Sequence, residues 1–260
     1  MDLKIKDKVY IVTGGGSGIG GGISLSIARE GGIPIILGRS PLTEEIEKDI
    51  YKLQPKTLFI QIDLSNNDDE IQAAITKVKD TFGRIDGLVN CAGANDSIPL
   101  EGLPNDFRRS LEMNLIHYFT VAHYCIDELK RTKGSILNIS SKTAITGQGG
   151  TSAYTAAKGA QLSLTREWAA SYAKDGIRCN CLVPAEVWTP LYKSWIESFE
   201  NPEDKLKSIT KNIPLEKRMT TTQELGDLAV FILSPLSSHT TGQLLFVDGG
   251  YTHLDRALTL

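Results

Sequence analysis

The sequence predicts an α/β fold: a single doubly wound domain whose parallel seven-stranded sheet carries helices on both faces. Seven short apolar runs lack the polar alternation of half-exposed strands, which is typical of parallel strands covered on both sides. Longer segments with helical spacing separate most of these runs, as in repeated βαβ units. The chain of 260 residues has no internal repeat or low-complexity linker, so we expect one domain over residues 1–260.

The predicted strands end in turn residues or run into helical segments. The first run leads into a series of glycines, and the fifth ends in a serine pair. This arrangement is typical of a Rossmann-type sheet, in which ligands bind beyond the carboxyl ends of the strands. In chain order the predicted strands are Val9–Thr13, Ile33–Leu37, Thr57–Ile62, Gly87–Asn90, Ser135–Ser140, Ile177–Val183 and Leu244–Val247.

Five segments have the apolar spacing of amphipathic helices. The first ends at a glycine pair, which favours a helix C-terminus, and the second begins with acidic residues, which favour a helix N-terminus. The predicted helices are Ile19–Gly31, Asp68–Phe82, Phe107–Lys130, Ser152–Asp175 and Thr222–Leu233.

The segment Thr189–Pro214 breaks the alternation of strands and helices. It contains Tyr192, Trp195 and Phe199 and is punctuated by prolines. An insertion before the last strand of an α/β enzyme often forms a lid or a pocket wall. We expect residues 189–214 to form a substrate lid; the alternative is a surface excursion whose aromatic side chains only pack on the body.

Composition and charge exclude several classes of protein. A net charge of −3 argues against a nucleic-acid or anionic-membrane partner. The first residues contain no apolar signal segment, and no apolar stretch approaches the roughly 18 residues of a transmembrane helix. The four cysteines are irregularly spaced, so we expect reduced thiols and no metal site. These features predict a cytoplasmic protein.

A glycine-rich stretch, Thr13–Gly20, links the first strand to the first helix. Such a loop lets the backbone approach a pyrophosphate, and the helix N-terminus adds N–H donors and positive potential. Its spacing, G-x-x-x-G-x-G, differs from the common G-x-G-x-x-G fingerprint. The position of the loop in a βαβ chain nevertheless predicts a dinucleotide site.

The end of the second strand bears on the choice between NAD and NADP. An acid there would bind the ribose 2′-hydroxyl, but this strand is followed by Arg39 and Ser40, and a guanidinium can pair with a 2′-phosphate. We therefore expect NADP to be preferred, with NAD as the alternative. Asp63, after the third strand, could bind the adenine amino group or could cap a turn with Ser65.

Tyr154 and Lys158 lie four residues apart in a predicted helix and share one face. A nearby ammonium favours a tyrosine phenolate, which could take a proton from an alcohol. The pair alone is common and carries little weight. However, Ser141 follows a strand that ends at the carboxyl edge of the sheet, and Asn114 lies in the helix after the fourth strand.

Taken together, these motifs resemble those of the short-chain dehydrogenase/reductase family over nearly the whole chain. The matching stretches are Thr13–Gly20, Asn90–Gly93, Asn114, Asn138–Ser141, Tyr154–Lys158, Gly242 and Val247–Gly250. The resemblance implies that Ser141 hydrogen-bonds the substrate oxygen and that Tyr154 is the acid/base. It further implies that Lys158 binds the nicotinamide ribose and that Asn114 holds a water in a proton relay to Lys158.

The same resemblance and the patterns above predict which residues contact the cofactor. They are Gly14, Gly16, Ser17, Gly18, Ile19, Gly20, Arg39, Ser40, Asp63, Leu64, Asn90, Ala92, Gly93, Tyr154, Lys158, Pro184, Val187 and Thr189. The sequence departs from the family in two places. Cys91 stands where a second asparagine is usual, and Ala185 stands where glycine is usual after Pro184.

Three further segments resemble a bacterial subgroup of sugar dehydrogenases, the L-fucose dehydrogenases. They are Val183–Tyr192, His239–Gln243 and the tail Asp248–Arg256. This similarity implies oxidation of L-fucose or a related aldose at its anomeric carbon to a lactone. The residues expected to contact the sugar are Ser141, Gln148, Tyr154, Glu186 and Trp188.

Several alternatives stay open from the sequence alone. Glu186 could form a salt bridge or be a solvated loop acid, and His253 and Arg256 could either reach a neighbouring subunit's pocket or simply pack at an interface. The protein could instead be a carbonyl or 3-oxoacyl reductase, or a sensor that binds NAD(P) without turnover. The family resemblance implies a homo-oligomer, which we expect to be a homotetramer.

Overall fold

The computed structural model describes residues 2–254 and confirms the predicted parallel sheet. Seven strands form it in the order β3-β2-β1-β4-β5-β6-β9, all parallel, and a two-stranded ladder pairs β7 with β8. The order reverses between β1 and β4, where doubly wound sheets open a crevice for ligands. The strands are β1 (Val9–Thr13), β2 (Ile33–Gly38), β3 (Leu58–Gln61), β4 (Gly87–Asn90), β5 (Ser135–Ile139), β6 (Arg178–Pro184), β7 (Val187–Trp188), β8 (Thr220–Thr221) and β9 (Leu244–Val247).

The helices cover both faces of the sheet. They are α1 (Gly18–Arg29), α2 (Glu44–Leu53), α3 (Asp68–Phe82), α4 (Pro104–Leu111), α5 (His117–Thr132), α6 (Thr143–Thr146), α7 (Ser152–Tyr172), α8 (Pro190–Glu197), α9 (Pro202–Thr210) and α10 (Thr222–Leu233). A π-helical turn, Glu112–Ile116, joins α4 to α5, so the predicted helix Phe107–Lys130 is longer than expected and is interrupted.

Strand β1 shows how the core divides into two layers. Successive strand residues point to opposite faces. Val9 and Ile11 accordingly belong to the cluster packed on α3 and α5, whereas Tyr10 and Val12 belong to the cluster packed on α1 and α10. Every residue of β1 is buried, which explains why its sequence shows no polar alternation.

Helices α1 and α10 pack very closely because glycines stand at their crossing. A β-carbon on Gly226 would lie 2.7 Å from the Gly22 carbonyl oxygen, and one on Gly22 would lie 2.5 Å from the Thr222 carbonyl oxygen. Contacts this short do not occur for real side chains, so only glycine permits this separation of the two backbones.

The insertion at 189–214 folds into α8 and α9. Thr189 caps α8 by accepting a hydrogen bond from the Tyr192 amide, and Asn201 caps α9 in the same way through the Asp204 amide. At its base β7 pairs in parallel with β8, so both ends of the excursion are joined beside the main sheet.

Candidate active site

The glycine loop between β1 and α1 is drawn tightly against the end of β4. Gly14 has φ +66°, and a β-carbon there would lie 3.0 Å from the Ala92 α-carbon. The Thr13 hydroxyl accepts hydrogen bonds from the amides of Cys91 (2.9 Å) and Ala92 (3.1 Å). The loop therefore needs glycine for its backbone conformation and for this close approach.

The N-terminus of α1 suits an anion. The Ser17 side chain caps no amide of the helix, and the first turn contains no acidic residue. Neither Ser17 nor an acid of the first turn therefore compensates the positive dipole end, although the Gly20 amide contacts the Cys91 thiol. A dinucleotide pyrophosphate fits this position. Gly18 (φ +53°) faces Thr189 across the loop, and a β-carbon on Gly18 would lie 3.6 Å from the Thr189 methyl group.

The side chains expected near the adenosine lie at the ends of β2 and β3. Arg39 and Ser40 are exposed directly after β2. The side-chain nitrogen of Gln61 donates to the Arg39 carbonyl at 3.0 Å. The Asp63 carboxylate accepts from the Ser65 amide at 3.0 Å, which is the turn contact considered as an alternative to adenine binding. Leu64 is buried.

The structure brings Tyr154, Lys158 and Ser141 together at the carboxyl edge of the sheet. The Lys158 Nζ lies 5.5 Å from the centre of the Tyr154 ring and donates to the Ile139 carbonyl at 2.7 Å. Ser141 follows β5 and contacts the Tyr154 hydroxyl. Ser140, by contrast, is buried and donates to the Lys158 carbonyl at 2.7 Å, so Ser140 fixes α7 while Ser141 faces the tyrosine.

Burial shifts the two titratable groups of this site in opposite directions. It raises the pKa of Tyr154 to about 12, and the contact with Ser141 acts against that rise. Burial lowers the pKa of Lys158 to about 8, while the Cys91 and Cys181 thiols oppose that fall. In both residues burial disfavours the charged form, because the site has a low dielectric constant. Formation of the Tyr154 phenolate at neutral pH therefore needs additional positive charge nearby.

Asn114 lies in the π-helical turn and is fully buried. Its side-chain oxygen accepts from the Ala94 amide at 2.9 Å, and its nitrogen donates to the Ser110 carbonyl at 3.1 Å. Gly93 leaves room for this contact, because a β-carbon there would lie 2.6 Å from the Asn114 side-chain oxygen. The Asn114 main-chain carbonyl accepts from Gln161 Nε2 at 2.7 Å. The π turn thus frees this carbonyl to point at α7.

The side chain of Asn90, a predicted cofactor residue, is hydrogen-bonded within the protein. Its side chain is buried, and its amide nitrogen donates to Asn138 Oδ1 at 3.0 Å. Asn138 in turn donates to the Thr165 hydroxyl at 2.9 Å. These side chains join β4, β5 and α7 beneath the cleft. A contact between Asn90 and the cofactor stays a prediction.

The acidic residue expected to bind substrate, Glu186, already has protein partners. One of its carboxylate oxygens accepts from Lys142 Nζ, and the other accepts from the Tyr192 hydroxyl at 2.6 Å. The Lys142 Nζ also lies 3.9 Å from the centre of the Tyr251 ring. The salt bridge considered from the sequence is therefore present, and it joins the loop after β5 to α8.

Two other predicted substrate residues are exposed. Gln148 is exposed in the loop between α6 and α7, and Trp188 is 39% exposed in β7. Of the two C-terminal residues considered, His253 packs edge-on against Phe246 with ring centres 4.3 Å apart, and Arg256 lies outside the described residues.

Sequence reasoning missed Tyr118 and Gln161, which are fully buried beside Lys158 and Asn114. The i, i+4 spacing of Tyr118 from Asn114 could have pointed to it, since such residues share a helix face. Nothing in the local sequence pairs Lys142 with Glu186, which lie 44 positions apart.

Two negative findings concern residues 2–254. None of their helices is both long and apolar enough to cross a membrane. Within the same part of the chain, no three His, Cys, Asp or Glu side chains are grouped so that they could hold a metal ion.

Comparison with known proteins identifies the family of this chain. A short-chain dehydrogenase/reductase family model, described as enoyl-(acyl carrier protein) reductase, matches residues 14–252. L-Fucose dehydrogenase of Bos taurus is 32% identical over 252 residues, which cover 96% of this chain and 91% of that protein.

Solved structures agree in fold. The crystal structure of Cj0485 dehydrogenase has 52% sequence identity and a TM-score of 0.97, covering 99% of this chain and 98% of that one. Aldohexose dehydrogenase (AldT) of Thermoplasma acidophilum has 31% identity and a TM-score of 0.88, covering 98% of both chains. A match of this extent, on a chain whose cleft is built as described, means that the protein belongs to the short-chain dehydrogenase/reductase family of oxidoreductases.

Proposed function

We propose that the protein oxidises an aldose, L-fucose or a stereochemically related sugar, at the anomeric carbon to give a lactone. The observation that carries the proposal is the convergence of Ser141, Tyr154 and Lys158 at the carboxyl edge of the sheet. The Asn114 carbonyl accepts from Gln161 on the same helix as Tyr154 and Lys158. The names of the similar proteins from Bos taurus and Thermoplasma acidophilum support a sugar as the substrate class.

In this proposal each residue of the chain has a defined task. Ser141 donates a hydrogen bond to the anomeric oxygen, and Tyr154 takes the proton of that hydroxyl as the carbonyl forms. NAD(P)+, when bound, supplies the hydride acceptor and a positive charge next to the tyrosine. That charge would offset the burial that holds the pKa of Tyr154 near 12. The Lys158 ammonium acts in the same direction.

The cofactor would lie between the glycine loop and the insertion. The loop and the N-terminus of α1 would bind the pyrophosphate, and Thr189 and Val187 would approach the nicotinamide carboxamide. The exposed Arg39 after β2 supports NADP over NAD, because a guanidinium can bind a phosphate through two hydrogen bonds.

The sugar would lie between the catalytic residues and the insertion, with residues 189–214 as its lid. Gln148 would supply a polar contact and Trp188 an apolar face for the ring. Lys142 and Tyr192 already hydrogen-bond the Glu186 carboxylate, so a contact between Glu186 and the sugar would add to these two bonds. We propose a homotetramer in keeping with the family; the exposed apolar side chains of Ile116 and Phe119 beside α5 support association of subunits.

A substrate panel tests the proposal. The protein is incubated with L-fucose, D-arabinose and L-galactose, each with NADP+ and with NAD+, and the product is identified by NMR. We expect NAD(P)H and a lactone. Failure of all three sugars, together with NADPH oxidation by a 3-oxoacyl thioester or a ketone, would favour the reductase alternative. NAD(P)H binding without turnover on any substrate would favour a sensor.

The role of Tyr154 is tested within the same assay. Tyr154→Phe is expected to abolish turnover and to preserve NADPH binding, measured by fluorescence. Tyr172→Phe is the matched control, since Tyr172 lies at the far end of α7 and packs on the core. We expect that variant to retain wild-type activity. Retained turnover in Tyr154→Phe would remove this tyrosine from the mechanism.

A further inference from the structure

Tyr118 is a tyrosine of α5 that the proposed mechanism does not use. Its side chain is completely buried, one helical turn after Asn114. Its hydroxyl donates to the Ile139 carbonyl oxygen at 3.1 Å and accepts from the Lys158 Nζ at 3.4 Å. A buried tyrosine needs a partner for its hydroxyl; here the Ile139 carbonyl accepts from it, and the hydroxyl also accepts from the amine assigned to the cofactor ribose.

These contacts account for two of the three N–H groups of the Lys158 ammonium. One is directed at the Ile139 carbonyl at 2.7 Å, and a second is directed at the Tyr118 hydroxyl. Because an ammonium is tetrahedral, two fixed donors also define the direction of the third. Without the hydroxyl, the Ile139 carbonyl would be the only one of these two acceptors left, and the position of Nζ at the end of the long lysine side chain would be less restrained.

Gln161 extends the contact from Lys158 toward Asn114. It lies three residues after Lys158 on α7, is fully buried, and donates from Nε2 to the Asn114 carbonyl at 2.7 Å. Its side chain also contacts the Tyr118 hydroxyl. Tyr118 and Gln161 together therefore connect Lys158 to the Asn114 carbonyl through protein groups, where the family resemblance implied a bridging water.

We propose that Tyr118 is a positioning residue of the active site, whose hydroxyl holds the Lys158 ammonium so that its third N–H is directed at the cofactor ribose. The expected change in kcat rests on the proposed dehydrogenase function. The expected change in nucleotide affinity does not depend on the substrate. The opposing interpretation is that Tyr118 only fills space between α5 and β5.

The surroundings of Lys158 determine the direction of the expected pH effect. Its Nζ lies 5.5 Å and 5.6 Å from the ring centres of Tyr154 and Tyr118, and the Cys91 and Cys181 thiols and the His117 imidazole are its other titratable neighbours. Burial raises the pKa of Tyr118 well above its usual value, so its hydroxyl stays neutral. Removing it takes an acceptor from the ammonium, which lowers the pKa of Lys158 and thereby raises that of Tyr154.

The test is Tyr118→Phe, which retains the ring and removes only the hydroxyl. We expect NADPH and NADP+ to bind about 2- to 10-fold more weakly, because the lost hydrogen bond lies within the protein and only its orienting effect on the Lys158 ammonium acts on binding. We also expect kcat to fall and the acid limb of its pH profile to move to higher pH. Tyr124→Phe is the matched control, since Tyr124 lies on the same helix and packs on the hydrophobic core.

Thermal unfolding separates positioning from packing. Equal nucleotide affinity and superimposable pH profiles for Tyr118→Phe and wild type would overturn the proposal, as would a loss of thermal stability without either change. If Tyr118→Phe does not fold, Gln161→Met removes the neighbouring contact and is expected to weaken nucleotide binding in the same direction; unchanged binding there would likewise overturn it. The binding measurement needs no sugar, so failure of every aldose would leave this result intact and would refute only the proposed substrate.

Discussion

Lowering the pH should destabilise this protein through one buried histidine, His117. The residue lies in the first turn of α5 and is 2% exposed. Its Nε2 lies 2.9 Å from the Met113 carbonyl and acts as the donor, since a carbonyl can only accept. Its Nδ1 has no hydrogen-bond partner among the described side chains and backbone groups. A proton added to Nδ1 would therefore be buried without compensation.

The size and sign of the effect follow from the pKa of this imidazole. Its pKa is lowered from 6.5 to about 4, chiefly by burial; the Lys158 ammonium acts in the same direction, and the Met113 carbonyl and the Asp63 carboxylate oppose the fall. Between these two pH values the unfolded chain binds a proton that the folded chain does not, so the folded state loses stability as the pH falls. At about 1.4 kcal/mol per pH unit, the loss by pH 4 is about 3 kcal/mol; above pH 6.5 this contribution to stability is fully present.

The assay is urea unfolding at a series of pH values from 7.5 to 4, at one protein concentration because association would shift the midpoint. His117→Gln cannot titrate, so the free energy of unfolding of wild type should fall relative to this variant by about 3 kcal/mol across the range. His123→Gln, at an exposed site of the same helix, should follow wild type. If the free energy of unfolding depends on pH in the same way for wild type and for His117→Gln, His117 is not the cause of the acid destabilisation.

Two further predictions concern the cofactor and the packing of the helices. Arg39→Ala should weaken NADPH binding by about tenfold or more and leave NADH binding unchanged, measured by fluorescence titration; equal losses for both nucleotides would contradict a 2′-phosphate contact. Gly226→Ala should destabilise the fold by about 1–3 kcal/mol in urea unfolding, because its new methyl group meets the Gly22 carbonyl. Gly159→Ala is the matched change in open space, where a β-carbon would meet no atom of the described residues within 4 Å apart from its chain neighbours and its own helix backbone, and it should stabilise by up to about 1 kcal/mol.

The parts of the fold that were predictable have local causes. Runs such as Val9–Thr13 are apolar throughout because both of their faces are covered, and this is visible without any tertiary information. The spacing of Tyr154 and Lys158 is likewise local, because it depends only on the geometry of one helix. The glycine loop is visible because close approach and positive φ both require the same residue type.

The parts that were not predictable depend on contacts between distant segments. Helix α2 begins at Glu44, and the Thr43 side chain caps it by accepting a hydrogen bond from the Ile46 amide. Thr43 can be identified as the cap only when the length of the turn after β2 is known. The π turn at Glu112–Ile116 has no sequence signature of its own; it accompanies an Asn114 carbonyl that bonds to Gln161, 47 positions away. Tyr118 and Lys158 are 40 positions apart, so no periodicity pairs them.

The ladder between β7 and β8 has a consequence for how this protein can change. The pairing of Val187–Trp188 with Thr220–Thr221 brings the two ends of the excursion together. The entropic cost of closing the loop between them grows only slowly as residues are added to it. Residues between the two ends can thus be replaced, lengthened or shortened without altering the register of the main sheet. As the proposed substrate lid, this segment would allow ligand preference to change in evolution while the main sheet stays the same.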